Sequence, residues 1–88
     1  MANLRYGIIG IGSMGRHHVR NIRELPGVDL VAMADPAGDK FGVAEGMNLL
    51  PDIDALIEQG LDACVVAVPT VFHEETALKL AEAGVLTL

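Results

Sequence analysis

The stretch Gly10-Ile11-Gly12-Ser13-Met14-Gly15 decides how the rest of the chain is read. Its glycines stand as G-x-G-x-x-G, after the apolar tetrad Tyr6 to Ile9 (with Gly7 inside it) and before a stretch of helix-like periodicity. In a chain with ten glycines the spacing alone could arise by chance. Its weight comes from context: a strand before it, a helix after it, and an acid at the end of the next strand. Each glycine has a physical task in such a loop. Gly10 permits the tight turn, Gly12 lets the backbone approach a pyrophosphate with no Cβ in the way, and Gly15 lets the helix pack closely on its strand. Phosphates would then meet the helix N-terminus, where free N–H groups and the positive end of the dipole favour anions. A glycine-rich turn without a ligand is the alternative reading of the motif taken alone.

Outward from the loop, residues 4–9 read as the first strand and 14–25 as a helix with Val19 and Ile22 inward, Met14 and His18 being further candidates for that face. Pro26-Gly27 ends the helix. Residues 28–34, Val-Asp-Leu-Val-Ala-Met-Ala, are nearly continuous in apolar side chains, as a parallel strand covered on both faces should be. With a helix between them, the two strands make a right-handed βαβ unit. Asp35 follows directly, 20 residues beyond Gly15. An acid at that place accepts hydrogen bonds from the adenosine ribose hydroxyls of NAD. The same carboxylate repels a 2′-phosphate, and no arginine between Asp35 and Lys40 could hold one, so NAD is expected over NADP. An Asp-Pro turn without a ligand is the alternative here.

The next stretch is weaker. Gly38, Gly42 and Gly46 recur every four residues, and in a helix each would cost about 1 kcal/mol relative to alanine. The expectation is a short helix over 38–45 and a brief strand at 47–49, with an irregular loop as the alternative. Pro51 and Asp52 suit the start of a helix whose apolar face is Ile53, Leu56 and Ile57 and whose end is Gly60. Residues 62–68 read as a strand ended by Pro69-Thr70. A helix over 71–83 follows, with Thr70 as N-cap, Ala77, Leu80 and Ala81 facing the sheet, and Gly84 just past its end. Residues 85–88 begin a fifth strand.

Alternation of strands and helices predicts an α/β fold, a doubly wound parallel sheet in strand order 3-2-1-4-5. Ligands bind such sheets beyond the carboxyl ends of the strands where the order reverses. The glycine loop and Pro69-Thr70 therefore converge on one crevice although about 60 residues separate them in sequence.

The composition agrees. Eighty-eight residues make one domain, half of them hydrophobic and only three aromatic, so the core is built from Val, Ile, Leu, Ala and Met. The net charge is −6. Four of the six basic residues precede position 24, with Arg16, Arg20 and Arg23 placed as the solvated face of one helix. No basic face or aromatic ladder suits nucleic acid. No apolar run reaches the length of a membrane span, and no signal-peptide core precedes Arg5 and Gly7. A lone cysteine, Cys64, inside an apolar run reads as a small core residue in a reducing compartment, and the cytoplasm is the expected location.

Three segments taken together resemble the Gfo/Idh/MocA family, the glucose–fructose oxidoreductase and inositol 2-dehydrogenase-like enzymes. They are Tyr-Gly-Ile-Ile-Gly-Ile-Gly-Ser-Met-Gly-Arg-His-His at the start, Val-Ala-Met-Ala-Asp-Pro around Asp35, and Val-Ala-Val-Pro-Thr-Val-Phe-His at 66–73. The resemblance covers the whole chain but only the family's N-terminal Rossmann-type nucleotide-binding domain. It implies an NAD(P)-dependent oxidoreductase acting on a sugar, cyclitol or related polyol. It implies that Gly10, Gly12 and Gly15 with Ser13 and Met14 hold the pyrophosphate, and that Asp35 holds the adenosine ribose. Pro69 and Thr70 would border the nicotinamide, with His73 nearby. His18 matches a histidine common after the glycine loop and is read as a packing residue; His17 is read as solvent-facing. No metal set is expected at His73, since Ala77 stands where a second ligand would be needed.

In the family the fifth strand runs into a Glu-Lys-Pro motif, and a second domain supplies substrate contacts and an acid–base residue. This sequence ends at Leu88, before a sixth strand, and offers no catalytic residue for proton transfer. The expectation is a domain of residues 1–88 that binds NAD without turnover. The alternative is a natural or engineered scaffold fragment without useful ligand affinity. Val85 to Leu88 would form an apolar sheet edge that invites pairing with a second copy.

Overall fold

The computed structural model of the chain describes residues 3–12, 15–38, 42, 47, 49–68 and 70–88. Five strands form one parallel sheet: β1 (Leu4–Ile9), β2 (Val28–Ala34), β3 (Leu49–Leu50), β4 (Ala63–Val66) and β5 (Leu86–Thr87), in the order β3-β2-β1-β4-β5. The described helices are α1 (Gly15–Glu24), α2 (Ile53–Ile57) and α3 (His73–Glu82), the last entered through a 3-10 turn at Thr70–Phe72. This is the doubly wound Rossmann arrangement expected from the alternation of strands and helices.

The pleat sorts the apolar side chains into two cores. Ile8 of β1, Met33 of β2 and Val65 of β4 pack with Ile11, Val19 and Ile22 on the α1 face. Ile9, Ala32, Ala34 and Cys64 point the other way, towards Ile53 and Leu56 of α2 and Leu80 of α3. Adjacent residues of one strand thus serve opposite faces, which is why β1 and β2 read as continuous apolar runs. Gly7 sits within β1 where a Cβ would come within 2.5 Å of the Leu61 side chain, so its lack of one admits the leucines of the α2 core. The β1–β2 register shifts between Tyr6 and Gly7.

Several boundaries differ from expectation. The brief strand anticipated at 47–49 forms at Leu49–Leu50, where Met33 and Ala34 are its partners and the Asp35 N–H donates to the Leu50 carbonyl at 3.1 Å. The helix anticipated over 38–45 lies largely outside the described residues. Gly38 and Gly42, which lie within them, have φ of +86° and +67°, a region an α-helix does not use. β4 is shorter than 62–68 because Asp62 turns to accept the Arg5 N–H (2.7 Å) before the strand begins, while Ala67 and Val68 leave it to wall a cleft.

α3 starts later than residue 71. The chain spends Thr70–Phe72 in the 3-10 turn, so the α-helical N-cap position falls on Phe72 rather than Thr70, and Phe72 has no side-chain oxygen to offer. The inward face of α3 is Thr76 and Leu80; Ala77 is half-buried and Ala81 is exposed, one step of helix rotation from the expected stripe. On α1, Val19 and Ile22 are buried as expected, while His17 and His18 are both exposed; Met14 lies outside the described residues. Gly84 has φ of +74° just past the C-cap Ala83, the left-handed turn that ends a helix.

Candidate functional site

Three strand ends meet at the point where strand order reverses. The Gly10 N–H donates to the Ala34 carbonyl (2.8 Å), tying the glycine loop to the end of β2, and the Ala67 N–H donates to the Ile9 carbonyl (2.9 Å), tying β4 to β1. Asp35 fixes the loop from the side. Its Oδ2 accepts the Ile11 N–H at 2.9 Å and its Oδ1 accepts the Ala37 N–H at 2.9 Å. An ionised carboxylate has about four acceptor positions, and among the described residues these two N–H groups fill two of them.

The glycines of the loop do different things. Gly10 has φ of +91°, and a Cβ there would stand 2.7 Å from the Ala67 carbonyl oxygen. A Cβ on Gly15 would overlap the Gly10 carbonyl, so the helix begins only because this residue has none. Gly12 is different: its φ is not in the left-handed region, and a Cβ there would meet nothing within 4 Å. Among the described residues neither the backbone nor the packing requires glycine at that position. A side chain there would enter open space beside the cleft that Gly12 lines.

That cleft has a volume of about 690 Å³, within the range of small-molecule and cofactor sites. Ile9, Gly10, Gly12, Ala67 and Val68 form its floor, and Asp35, Pro36 and Ala37 one side. Asp52 and Ile53 at the start of α2, and Phe72, Glu75, Thr76 and Lys79 of the 3-10 turn and α3, form the other. The walls are mainly apolar with a few polar groups, the composition of a pocket that holds an amphipathic ligand. Asp52 Oδ1 accepts the Ala55 N–H (2.9 Å) as the N-cap of α2, and Lys79 Nζ lies 3.3 Å from Asp54 Oδ2.

The structure therefore brings Gly10, Gly12 and Asp35 of the anticipated residues to one cleft, with Gly15 opening the helix behind it. Ser13, Met14 and Pro69 lie outside the described residues, as does the side chain of Thr70. His73 is exposed and does not line the cleft. Among the described residues no group of histidine, cysteine or acidic side chains is arranged to hold a metal ion. Cys64 is buried, its thiol pushed up to about 12 by that burial and only partly offset by the Ile9 backbone hydrogen bond, so it is no nucleophile. The α2 and α3 wall escaped sequence reading. Its one available signal was Thr76, which stands four residues before Leu80 on the same helix face.

Comparison with known proteins agrees with this geometry. Residues 4–88 match the Gfo/Idh/MocA family, described as an oxidoreductase family with an NAD-binding Rossmann fold. The rhizopine catabolism protein MocA of Rhizobium meliloti is 33% identical over 87 residues, covering 96% of this chain and 27% of that protein. The scyllo-inositol 2-dehydrogenase (NAD(+)) of Bacillus subtilis (strain 168) is 30% identical over 87 residues, covering 92% of this chain and 25% of the enzyme. Among solved structures, the UDP-N-acetylglucosamine 3-dehydrogenase of Acidithiobacillus ferrooxidans superposes with a TM-score of 0.84 at 29% identity, over 99% of this chain and 29% of that one. The WlbA dehydrogenase of Bordetella pertussis, solved with NADH and UDP-GlcNAcA, gives 0.83 at 27% identity, over 97% and 28%. The chain spans about a quarter of the length of the curated relatives it matches. By sequence and by fold, this chain belongs to the Gfo/Idh/MocA oxidoreductase family, within its NAD-binding Rossmann domain.

Proposed function

We propose that residues 1–88 form a single unit that binds NAD in the cleft, as the nucleotide-binding part of an oxidoreductase acting on a sugar or polyol. The observation that carries this is Gly12. Among the described residues neither φ nor packing asks for glycine there, and Gly12 lines the cleft that Asp35 borders. In this reading the pyrophosphate lies over Gly10 to Gly15 at the start of α1, with Ser13 and Met14 beside it. Asp35 accepts the adenosine ribose hydroxyls through acceptor positions beyond the two that the Ile11 and Ala37 N–H groups fill. Pro69, Thr70 and His73 are assigned to the nicotinamide side. The nicotinamide ring, when bound, supplies the hydride acceptor or donor. The chain's own residues bind and orient the cofactor, and none is assigned to proton transfer.

NAD is favoured over NADP, because a 2′-phosphate would be brought against the Asp35 carboxylate with no arginine in the segment that follows it. The sugar or polyol class rests on relatives such as the scyllo-inositol enzyme. A buried single cysteine suits a reducing compartment, and the cytoplasm is the proposed location; among the described residues no helix is long and apolar enough to cross a membrane. Calorimetric titration with NAD and NADP tests the proposal. Saturable NAD binding with NADP at least tenfold weaker supports it; a folded chain indifferent to both cofactors at millimolar concentration overturns it.

A further inference from the structure

We infer that Thr76 is a specificity-determining contact for the base of the adenosine half of the dinucleotide. The inference rests on the dinucleotide reading of the cleft and adds the residue that reads the far end of it. Besides Asp35, two groups of residues line the cleft. One, with Gly10 and Gly12, leads to the start of α1, where the phosphates belong. The other stands at the start of α2 and on the 3-10 turn and α3. With the ribose on Asp35 and its phosphate towards Gly12, the base attached to that ribose is left with the second group. Ile53 and Phe72 offer it apolar surface there.

The polar groups at this end differ in exposure, and one of them is buried. Asp52 caps α2, Lys79 pairs with Asp54, and Glu75 is exposed to solvent. Thr76 is the buried polar residue of the described set, only 7% exposed. Its hydroxyl makes no hydrogen bond among the described residues, either to the carbonyl one turn back or to any side chain. No fully enclosed side-chain oxygen among the described residues lacks a partner, so this hydroxyl keeps some exposure, and the residue that carries it lines the cleft. A threonine on the same stripe as fully buried Leu80 gives up apolar burial for a hydroxyl that has no partner among the described residues. A base edge, which carries ring acceptors and an exocyclic donor, supplies that partner, and a hydroxyl can meet either.

The test uses the whole chain and the variants Thr76→Val, which removes the hydroxyl, and Thr76→Ser, which keeps it. Thermal unfolding without ligand is measured first, then calorimetric titration with NAD and with ADP-ribose, which lacks the nicotinamide ring. Thr76→Val is expected to melt at or above the parent's midpoint while binding both ligands roughly five- to tenfold more weakly, by the same factor. Thr76→Ser is expected to bind within about twofold of the parent. This opposition of stability and affinity is not produced by a residue that only packs. A lower midpoint for Thr76→Val, unchanged affinity, or a loss confined to NAD would each overturn the inference while leaving the dinucleotide site standing. Failure of the parent chain to bind either ligand would overturn both.

Discussion

Gly12 and Gly15 differ in what a side chain would cost them. At Gly15 a Cβ would collide with the loop's own backbone, so that glycine belongs to the fold; at Gly12 it would enter open space, and the proposed function gives that glycine to the ligand. Both occupy the same motif, and the structure shows the physical difference between them. Cys64 is a second residue whose chemistry is set by its surroundings. Burial holds its thiol up to about 12 against an ordinary 9.0. The folded state therefore keeps a proton that the unfolded state has lost. This contribution to stability is complete below pH 9 and declines as pH rises towards 12. Urea midpoints measured from pH 8 to 11 should fall more steeply for the parent than for Cys64→Ala, and a thiol-alkylating reagent at pH 8 should label the unfolded chain only. Rapid labelling of the folded chain would show the thiol to be accessible.

At the scale of elements, the shortest helix is held by residues outside it. α2 has five residues, fewer than an isolated helix needs for stability in water. Asp52 caps its N-terminus, and the Arg5 guanidinium reaches from β1 to the carbonyls past its C-terminus, donating to Gly60 at 2.8 Å and Gln59 at 2.9 Å. Arg5→Met keeps the aliphatic stem and removes both donors. It should lower stability by about 1 kcal/mol, seen as a smaller urea midpoint with an unchanged slope; an unaltered midpoint would mean the two bonds contribute nothing net. Such long-range support explains what sequence alone conveyed. β1 and β2 were legible because burial on both faces leaves a nearly unbroken apolar run, and the glycine loop because the turn at Gly10 and the close approach at Gly15 demand glycine. The 3-10 entry to α3 was not legible, since Phe72 at its cap carries no capping signal. Nor was the α2–α3 wall, because residues 52–53 and 72–79 become neighbours only after the sheet is assembled. The proposed contact at Thr76 lies in that wall.

At the scale of the molecule, β5 is the outermost strand on its side of the sheet, and Leu86 and Leu88 there are exposed. An apolar edge of this kind is open to strand pairing. We propose that residues 1–88 expressed alone self-associate through β5, giving a mass that rises with concentration in light scattering and returns to that of the monomer in Leu86→Lys. A constant monomer mass across the range would exclude that pairing. The parallel sheet gathers β1, β2 and β4 at one cleft, and the central claim is that this cleft is built for a dinucleotide. Calorimetric titration of the chain and its Gly12→Val variant with NAD tests it most directly. Among the described residues nothing lies within 4 Å of a Cβ added at Gly12, so the stability of the variant should stay within about 0.5 kcal/mol of the parent's. The account predicts saturable NAD binding by the parent and none by the equally stable variant; equal binding by both would contradict it.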